Sequence, residues 1–307
     1  MPLLVDEKPV ESVPRSVTEF FWAHPNFKQT AAQFHSKSVQ TVGPVGLLYI
    51  GQRELAAVSS SDNVIKVLGT EDATTCHIAV LKHTGSGATC LTHFDGCSTK
   101  KGIANMVSLL TELSVDAPLG RFELHMFGGF QDDRNTSSDL SIKILNEFNN
   151  RSENFHLLTA CITDLNDVVK NKSHWPVIYG LAVIVETGEI FPATFSDKGP
   201  DQPLRSARHF TGSDDIMNIY DNQSQELVVG PFHYSTMDEI DLLCRLPDEF
   251  IRKHLSTSPE QEPPQFEANV RSALVQIRDH PDPMKTVFRD GKSRRYKKES
   301  DGSWTRV

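Results

Sequence analysis

The stretch that most constrains the fold runs from Val64 to Gly96 and reads as strand, polar loop, strand, tight turn and strand. Cys76 follows the polar loop of residues 70–75 and opens the central strand, and His93 ends the last one. Thr-Gly-Ser-Gly between the later two strands is a hairpin signal, so these strands should pair as antiparallel neighbours. We expect the chain to hold the thiol of Cys76 and the imidazole of His93 together.

Short β-favouring runs outnumber helical segments along the rest of the chain, and many of them read as hairpins. Helices are predicted over 16–24, 25–36, 101–114, 138–149, 203–210 and 263–278. Strands are predicted over 39–42, 47–50, 55–58, 64–68, 76–83, 88–93, 122–127, 155–163, 177–186, 189–195, 216–220, 226–229, 294–298 and 303–306. The fold class is therefore α/β (α+β), a mixed and largely antiparallel sheet assembly with packed helices, in one domain spanning 1–307.

Composition excludes several classes of protein. A formal net charge of −9 argues against a partner that is a nucleic acid. No apolar run approaches the length that a membrane helix requires, and the first residues lack the pattern of a secretory signal. Five unevenly spaced cysteines suit free thiols in a reducing compartment, so we expect a cytoplasmic protein. We also expect a monomer. Neither GxGxxG nor a Walker A motif occurs, and no cofactor is expected.

Strand alternation limits which histidine can serve Cys76 as a base. His77 and His83 have the opposite parity along the same strand and should point away from the thiol. His93 lies on the returning strand, opposite either Ile78 or position 79, and only the first register places it on the face of Cys76. The sequence leaves this register open.

A cysteine paired with a histidine performs acyl transfer: the thiolate attacks a carbonyl, and the imidazole moves the protons. The small residues 73–75 leave backbone N–H groups accessible for an oxyanion. The hydroxyl of Thr70 could orient the imidazole, or it could bond its own loop backbone. On local grounds the two roles are equally plausible.

Four segments carry a resemblance to a known family: LGTEDATTCHIAVLKHTGSGATCLTHFDG (68–96), FGGFQDDR (127–134), WPVIYGLAV (175–183) and LSTSPEQEPPQF (255–266). They resemble segments of the eukaryotic protein N-terminal asparagine amidohydrolases, and the similarity runs along almost the whole chain. The spacing of Thr70, Cys76 and His93 is also similar to that of the bacterial chemoreceptor glutamine deamidases, which share a Cys-His core with the cytotoxic necrotizing factor toxins. The resemblance implies a layered α-β-β sandwich, Cys76 as nucleophile, His93 as base and Thr70 as third member.

The same resemblance implies the reaction and the partner. The side-chain amide of an N-terminal asparagine, in a peptide or protein, would be hydrolysed through a Cys76 thioester to aspartate and ammonia, feeding the N-degron pathway of protein degradation. Recognition of a free α-ammonium needs an acidic partner. The candidate acids are Glu71, Asp72, Asp95 and Glu262, with Asp72 favoured; for each, a solvated loop carboxylate is the commoner role.

Other interpretations remain open at this point. Cys90, His93 and Cys97 have ligand-like spacing, and Cys76-His77 could complete a structural zinc site. A non-catalytic module that binds N-terminal degradation signals would also suit the resemblance.

Two short segments also have two interpretations each. Removal of Met1 would let Pro2 contribute to the site, although a frayed terminus is favoured. The basic run 292–298 reads as a strand face rather than as a nuclear signal, which would add the nucleus to the cytoplasm.

Overall fold

The computed structural model describes residues 3–117, 119–210, 215–234 and 237–307. The suggested contribution of Pro2 to the site lies outside these residues.

The described residues form strands and helices in an irregular alternation. The strands are β1 (Leu3–Val5), β2 (Lys8–Pro9), β3 (Gln40–Val42), β4 (Leu47–Tyr49), β5 (Glu54–Val58), β6 (Val67–Thr70), β7 (His77–His83), β8 (Thr89–Phe94), β9 (Phe122–Gly128), β10 (Phe155–Ile162), β11 (Asp167–Lys170), β12 (Ser173–Pro176), β13 (Leu181–Ile184), β14 (Ile190–Phe195), β15 (Met217–Asn218), β16 (Tyr220–Asp221), β17 (Glu226–Val229), β18 (Arg294–Lys298) and β19 (Trp304–Arg306). The helices are α1 (Val17–Ala23), α2 (Phe27–His35), α3 (Thr99–Glu112), α4 (Thr136–Asn149), α5 (Gln202–Ala207), α6 (Ile240–Cys244), α7 (Asp248–Leu255), α8 (Phe266–Asp279) and α9 (Pro283–Thr286).

An eight-stranded sheet organises the molecule, in the order β15-β5-β8-β7-β9-β10-β1-β2. Helices α1, α3 and α4 cover one face of it. Side chains such as Phe20, Met106 and Ile144 from these helices pack with Leu81 and Leu124 of the strands in one buried cluster. A helical layer on a sheet buries one apolar face of each element.

The opposite face of this sheet packs against a second sheet of five strands, in the order β3-β14-β13-β6-β4. Ile78 and Val80 of β7 contact a cluster that contains Leu68 of β6 and Leu181 of β13. A third sheet, β16-β17-β18-β19, contributes Leu227 to the same cluster. The described residues therefore form a mixed α/β structure in which α1, α3 and α4 lie on one side of the central sheet, while the five-stranded sheet and α2 lie on the other.

The register of the β7–β8 hairpin decides the placement of the two candidate catalytic residues. His93 pairs with Ile78, and Phe94 pairs with His77. This is the register that places His93 on the side of the sheet to which Ile78 and Cys76 point. The sequence left two registers open, and the structure has the register that an interaction between Cys76 and His93 requires.

Several predicted elements are confirmed, and the clearest is the C-terminal helix. Residues 263–278 were predicted helical, and α8 covers Phe266–Asp279. The capping box at Ser16 is half formed, since its hydroxyl accepts a hydrogen bond from the Glu19 N–H at 3.2 Å.

Other predictions were wrong in detail. The strand expected over 64–68 begins at Val67, because the Asp62 carboxylate accepts the N–H groups of Val64 and Ile65 and forms a turn there. The strand expected over 216–220 is divided, since β15 pairs with β5 and β16 pairs with β17. Thr70 was assigned to a loop, but it is the last residue of β6.

The C-terminal helices pack on one another beside the two large sheets. Helix α8 contacts α5, α6 and α7, and Ile251, Val270 and Leu274 are buried between them. Across the described ranges, no helix combines the length and the apolar character needed to cross a bilayer.

Candidate active site

A cavity of about 610 Å³ opens where the end of the β7–β8 hairpin meets the C-terminal helices. Cys76 and His93 both line it, together with carboxylates from three segments. Its apolar wall comes from the C-terminal part of the chain, with Leu255, Phe266 and Val270. Residues from the N-terminal and the C-terminal halves of the sequence therefore build the cavity together.

His93 lies at the contact between the two large sheets, where it forms a hydrogen bond with Thr70. The Thr70 hydroxyl of β6 is 2.8 Å from Nδ1 of His93 on β8, and both residues are buried. The other ring nitrogen, Nε2, is buried without a hydrogen-bond partner among the described residues. The local backbone is held as well, because the His93 carbonyl accepts the Arg53 N–H at 3.0 Å. An imidazole fixed at one nitrogen and unpaired at the other has the arrangement of a general base.

Cys76 is held through its own backbone by the Gly128-Gly129 turn at the end of β9. The Gly129 N–H donates to the Cys76 carbonyl at 3.0 Å. A Cβ on Gly128, which has φ +105°, would lie 2.5 Å from that same carbonyl oxygen. Only glycine at position 128 permits this approach.

His77 points to the other face of the sheet, as strand alternation predicted. Its Nε2 is 2.6 Å from the Ser141 hydroxyl, which in turn lies 2.7 Å from the Thr163 hydroxyl. Burial lowers the pKa of His77 to about 3, so the ring is neutral. These buried hydrogen bonds join β7 to α4 and fix the residue that follows Cys76.

Burial sets the protonation of the Cys76–His93 pair. It raises the pKa of the Cys76 thiol well above the ordinary value, and the negative charges of Asp95 and Glu262 add to this effect. Burial also lowers the pKa of His93 to about 4, against the opposing effect of Asp95 and Asp72. Both groups are therefore neutral at pH 7, and the imidazole is in its basic form.

The loop before Cys76 is attached to the segment of residues 255–266. The Thr74 hydroxyl accepts a hydrogen bond of 2.9 Å from Ser258, and the hydroxyls of Thr75 and Thr257 are 2.8 Å apart. The Ala73 N–H donates to the Tyr179 carbonyl at 2.9 Å. Three of the four sequence segments that carry the family resemblance thus meet at this loop.

Asp72, the acid favoured for substrate binding, and the candidate Glu71 are already paired with a cation. Lys198 Nζ lies 2.8 Å from Glu71 and 2.5 Å from Asp72. Glu71 also accepts the Phe195 N–H, and Asp72 is 3.5 Å from the amide of Gln265. The three charges sum to −1 rather than −2 at this side of the cavity.

Asp95 is more completely engaged. One of its oxygens accepts from Arg53 Nε at 2.5 Å and from the Gln52 amide at 2.8 Å, and the other accepts the Cys97 N–H at 3.0 Å. These donors and the Arg53 charge hold the pKa of Asp95 below its usual value despite burial. Asp95 thus lines the cavity with a carboxylate whose two oxygens are already bound by neighbouring donors.

Glu262 differs from the other three acids. Its carboxyl accepts the Ser256 hydroxyl at 2.5 Å and forms no salt bridge with any residue that the structure describes. Burial raises its pKa to about 7, and the nearby Asp72 charge adds to this. A carboxyl of this kind is half protonated at neutral pH.

The residues proposed as zinc ligands are divided between the faces of the central sheet. Cys90 packs in the cluster on the helical side, whereas His93 shares the side of Ile78. No group of three or more His, Cys, Asp or Glu side chains in the described ranges is placed to hold a metal ion. The placement of Cys90 separates two of the ligands that the zinc interpretation needs.

This chain is similar to known proteins along most of its length. The sequence model of the protein N-terminal asparagine amidohydrolase family matches residues 37–306. The chain belongs to this family. It is 44% identical over 307 residues to the protein N-terminal asparagine amidohydrolase of Homo sapiens, covering all of this chain and 98% of the relative. The relative of the same name in Arabidopsis thaliana is 28% identical over 306 residues, covering 91% and 86% of the two chains.

Some site residues of this family member were not found from the sequence. Lys198 lies about 125 residues from the acids that it neutralises, and nothing in its local pattern indicates that contact. Ser256 and Ser258 belonged to a motif that carried resemblance but had been given no role. Hydroxyl-rich loops are common, so only the fold identifies these partners.

Proposed function

We propose that this chain hydrolyses the side-chain amide of an N-terminal asparagine to aspartate and releases ammonia. The observation that carries the proposal is the Thr70–His93 hydrogen bond in a cavity that Cys76 also lines. Membership of a family named for this reaction supports the choice of substrate. The proposed roles are nucleophile for Cys76, general base and acid for His93, and orienting group for Thr70.

In the first half of the reaction, His93 Nε2 accepts the proton of the Cys76 thiol as sulfur attacks the amide carbon. Because the resting pair is neutral, proton transfer accompanies the attack rather than preceding it. Nδ1 then carries the hydrogen that faces the Thr70 hydroxyl. The C–N bond breaks, His93 returns the proton to the leaving nitrogen, and ammonia departs from a thioester.

In the second half, water attacks the thioester carbon while His93 removes its proton. The C–S bond breaks, the Cys76 thiol is restored, and the product is an N-terminal aspartate. The oxyanion formed in both halves needs backbone donors. Since the Ala73 N–H is bonded to Tyr179, we assign this role to the N–H groups of the adjacent residues 74–76.

The arrangement also supports a relation to the chemoreceptor deamidase and cytotoxic necrotizing factor core. The helix–sheet–sheet packing is that expected for an α-β-β sandwich. In cells, we infer that a single-domain, monomeric enzyme acts in the cytoplasm and supplies N-terminal aspartate to the N-degron pathway.

A peptide series with ammonia detection tests the proposal. Wild-type protein should release ammonia from an Asn-initiated peptide and convert its terminal residue to Asp by mass spectrometry. A Gln-initiated peptide should react more slowly, because its additional methylene displaces the carbonyl from the thiol. A pocket alone discriminates one methylene by about 10–200-fold. Binding of the Asn-initiated peptide without ammonia release would favour the non-catalytic module instead.

A further inference from the structure

The acids of the cavity are not equivalent as partners for a cation. Glu71, Asp72 and Asp95 each contact a lysine or an arginine within 2.8 Å. An incoming ammonium at the first two would also approach the charge of Lys198. Only Glu262 lines the cavity with a carboxyl that forms no salt bridge within the described ranges, and the nearby Arg252 is bound to the Glu267 carboxylate and to the Glu262 backbone carbonyl instead.

The covalent structure of the substrate limits where its α-ammonium can lie. Three bonds of about 1.5 Å separate the α-nitrogen of asparagine from the amide carbon that sulfur attacks. The acid that binds the ammonium must therefore lie close to Cys76. Glu262 satisfies this condition, because it lines the same cavity as Cys76. Its segment also contacts the two residues before Cys76 through Thr257 and Ser258.

We propose that Glu262 is the specificity-determining residue that accepts the substrate α-ammonium. This inference rests on the proposed function and deepens it. The cavity supplies a half-buried carboxyl held in place by Ser256, and the substrate supplies an ammonium that can form a salt bridge with it. An acetylated terminus or an internal asparagine leaves Glu262 without a partner, and this penalises both. The role expected for Asp72 thereby passes to Glu262.

Protonation of Glu262 should couple binding to pH. The charged and titratable groups around it are Asp72 from the loop after β6, Cys76, Tyr179, Arg252 on α7 and Glu267 on α8. Burial and the two acids favour its protonated form, and a bound ammonium favours its ionised form. Affinity for a cationic peptide should therefore decrease as the pH falls below about 7.

The first test measures binding without chemistry, in Cys76→Ala protein. The probes are an Asn-initiated peptide and its des-amino analogue, a succinamoyl peptide with the same amide but no α-ammonium. Cys76→Ala should prefer the Asn-initiated peptide by about 10–100-fold, the range of a charge-assisted hydrogen bond. The double variant Cys76→Ala/Glu262→Gln should lose this preference and should bind the analogue unchanged.

The matched control is Cys76→Ala/Glu260→Gln, which removes an exposed carboxylate two residues away in the same loop. It should retain both the preference and its decrease at low pH, whereas the Glu262→Gln variant should show a pH-independent affinity. Loss of the preference in Cys76→Ala/Asp72→Asn but not in the Glu262→Gln variant would overturn the proposal.

Failure of the proposed function has a different signature. If wild-type protein releases no ammonia while the Cys76→Ala protein still distinguishes the two probes through Glu262, the ammonium site stands and the hydrolysis does not. If wild-type protein releases ammonia equally fast from Asn-initiated and des-amino peptides, the hydrolysis stands and the ammonium site does not.

Discussion

The hydroxyl of Thr70 and the imidazole of His93 meet across two different sheets, 2.8 Å apart. Thr70 ends β6 of the five-stranded sheet, and His93 lies in β8 of the eight-stranded sheet. The orientation of the proposed base therefore depends on how the two sheets pack, and both partners are buried where water cannot substitute for either.

Replacing the Thr70 hydroxyl should slow the reaction without weakening binding. Thr70→Val keeps the shape of the side chain but leaves His93 Nδ1 unpaired, so we expect kcat to fall about 10–100-fold with little change in KM. Thr70→Ser restores the hydroxyl and should recover most of kcat. Steady-state kinetics on both variants makes the comparison; equal losses in Val and Ser variants would point to packing rather than to the hydrogen bond.

Removing the thiol should abolish turnover and spare the fold. Cys76→Ala deletes one partly buried sulfur, so the free energy of unfolding should change by about 1 kcal/mol or less while ammonia release stops. Cys244→Ala, on α6, is the matched control and should retain full activity. Substantial turnover by the Cys76→Ala protein would remove this residue from the role of nucleophile.

Two glycines with nearly the same φ angle allow the cost of backbone strain to be distinguished from the effect of displacing Cys76. Gly128 has φ +105° and Gly96 has φ +99°, but a Cβ at 128 would meet the Cys76 carbonyl at 2.5 Å, whereas one at 96 meets nothing within 4 Å. Gly96→Ala should cost about 1–2 kcal/mol of stability from backbone strain alone. Gly128→Ala should cost more and should also reduce kcat, because it displaces the nucleophile. Similar kcat values for the two variants would argue against that displacement.

Buried histidines should make the protein sensitive to acid. Burial lowers the pKa of His77 to about 3 and those of His93, His125 and His209 to about 4. Between these values and the unfolded pKa near 6.5, the unfolded state binds more protons, so stability decreases as the pH falls. Each histidine can contribute up to about 1.4 kcal/mol per pH unit in this window.

Urea unfolding at pH 7 and pH 4.5 measures this dependence. Glu262 acts in the opposite sense, because its raised pKa makes the folded state bind the extra proton between its ordinary value and about 7. The four histidines outnumber Glu262, so the free energy of unfolding should increase with pH over this range. The slope should be unchanged in His254→Gln, which alters an exposed ring on α7. A free energy of unfolding that is flat over this range would show that the rings are accessible to protons.

The local sequence pattern predicted the strands that carry Cys76 and His93, because a hairpin depends on residues that are close together in the sequence. The Thr-Gly-Ser-Gly turn indicated the β7–β8 hairpin, and alternation excluded His77, whose ring indeed points to α4. Register could not be predicted, since a shift of one residue satisfies the same apolar pattern on a strand buried on both faces. Ile78 and Ala79 are both fully buried.

Long-range partners were beyond the sequence for a different reason. Proximity to Cys76 along the chain favoured Asp72 as the partner of the substrate ammonium. In the structure, Lys198 forms salt bridges with both Asp72 and Glu71, so both carboxylates already have a cationic partner. Charge neutralisation by a residue more than a hundred positions away depends on tertiary packing, which leaves no trace in the local pattern.

The hydrogen bond from Ser258 to Thr74 joins residues 184 positions apart. As the chain emerges from the ribosome, the strands that carry Cys76 and His93 are complete long before Ser258 has been synthesised. Activity should therefore arise only at the final stage of folding, and a nascent or C-terminally shortened chain would have its nucleophile in place but no completed pocket around it.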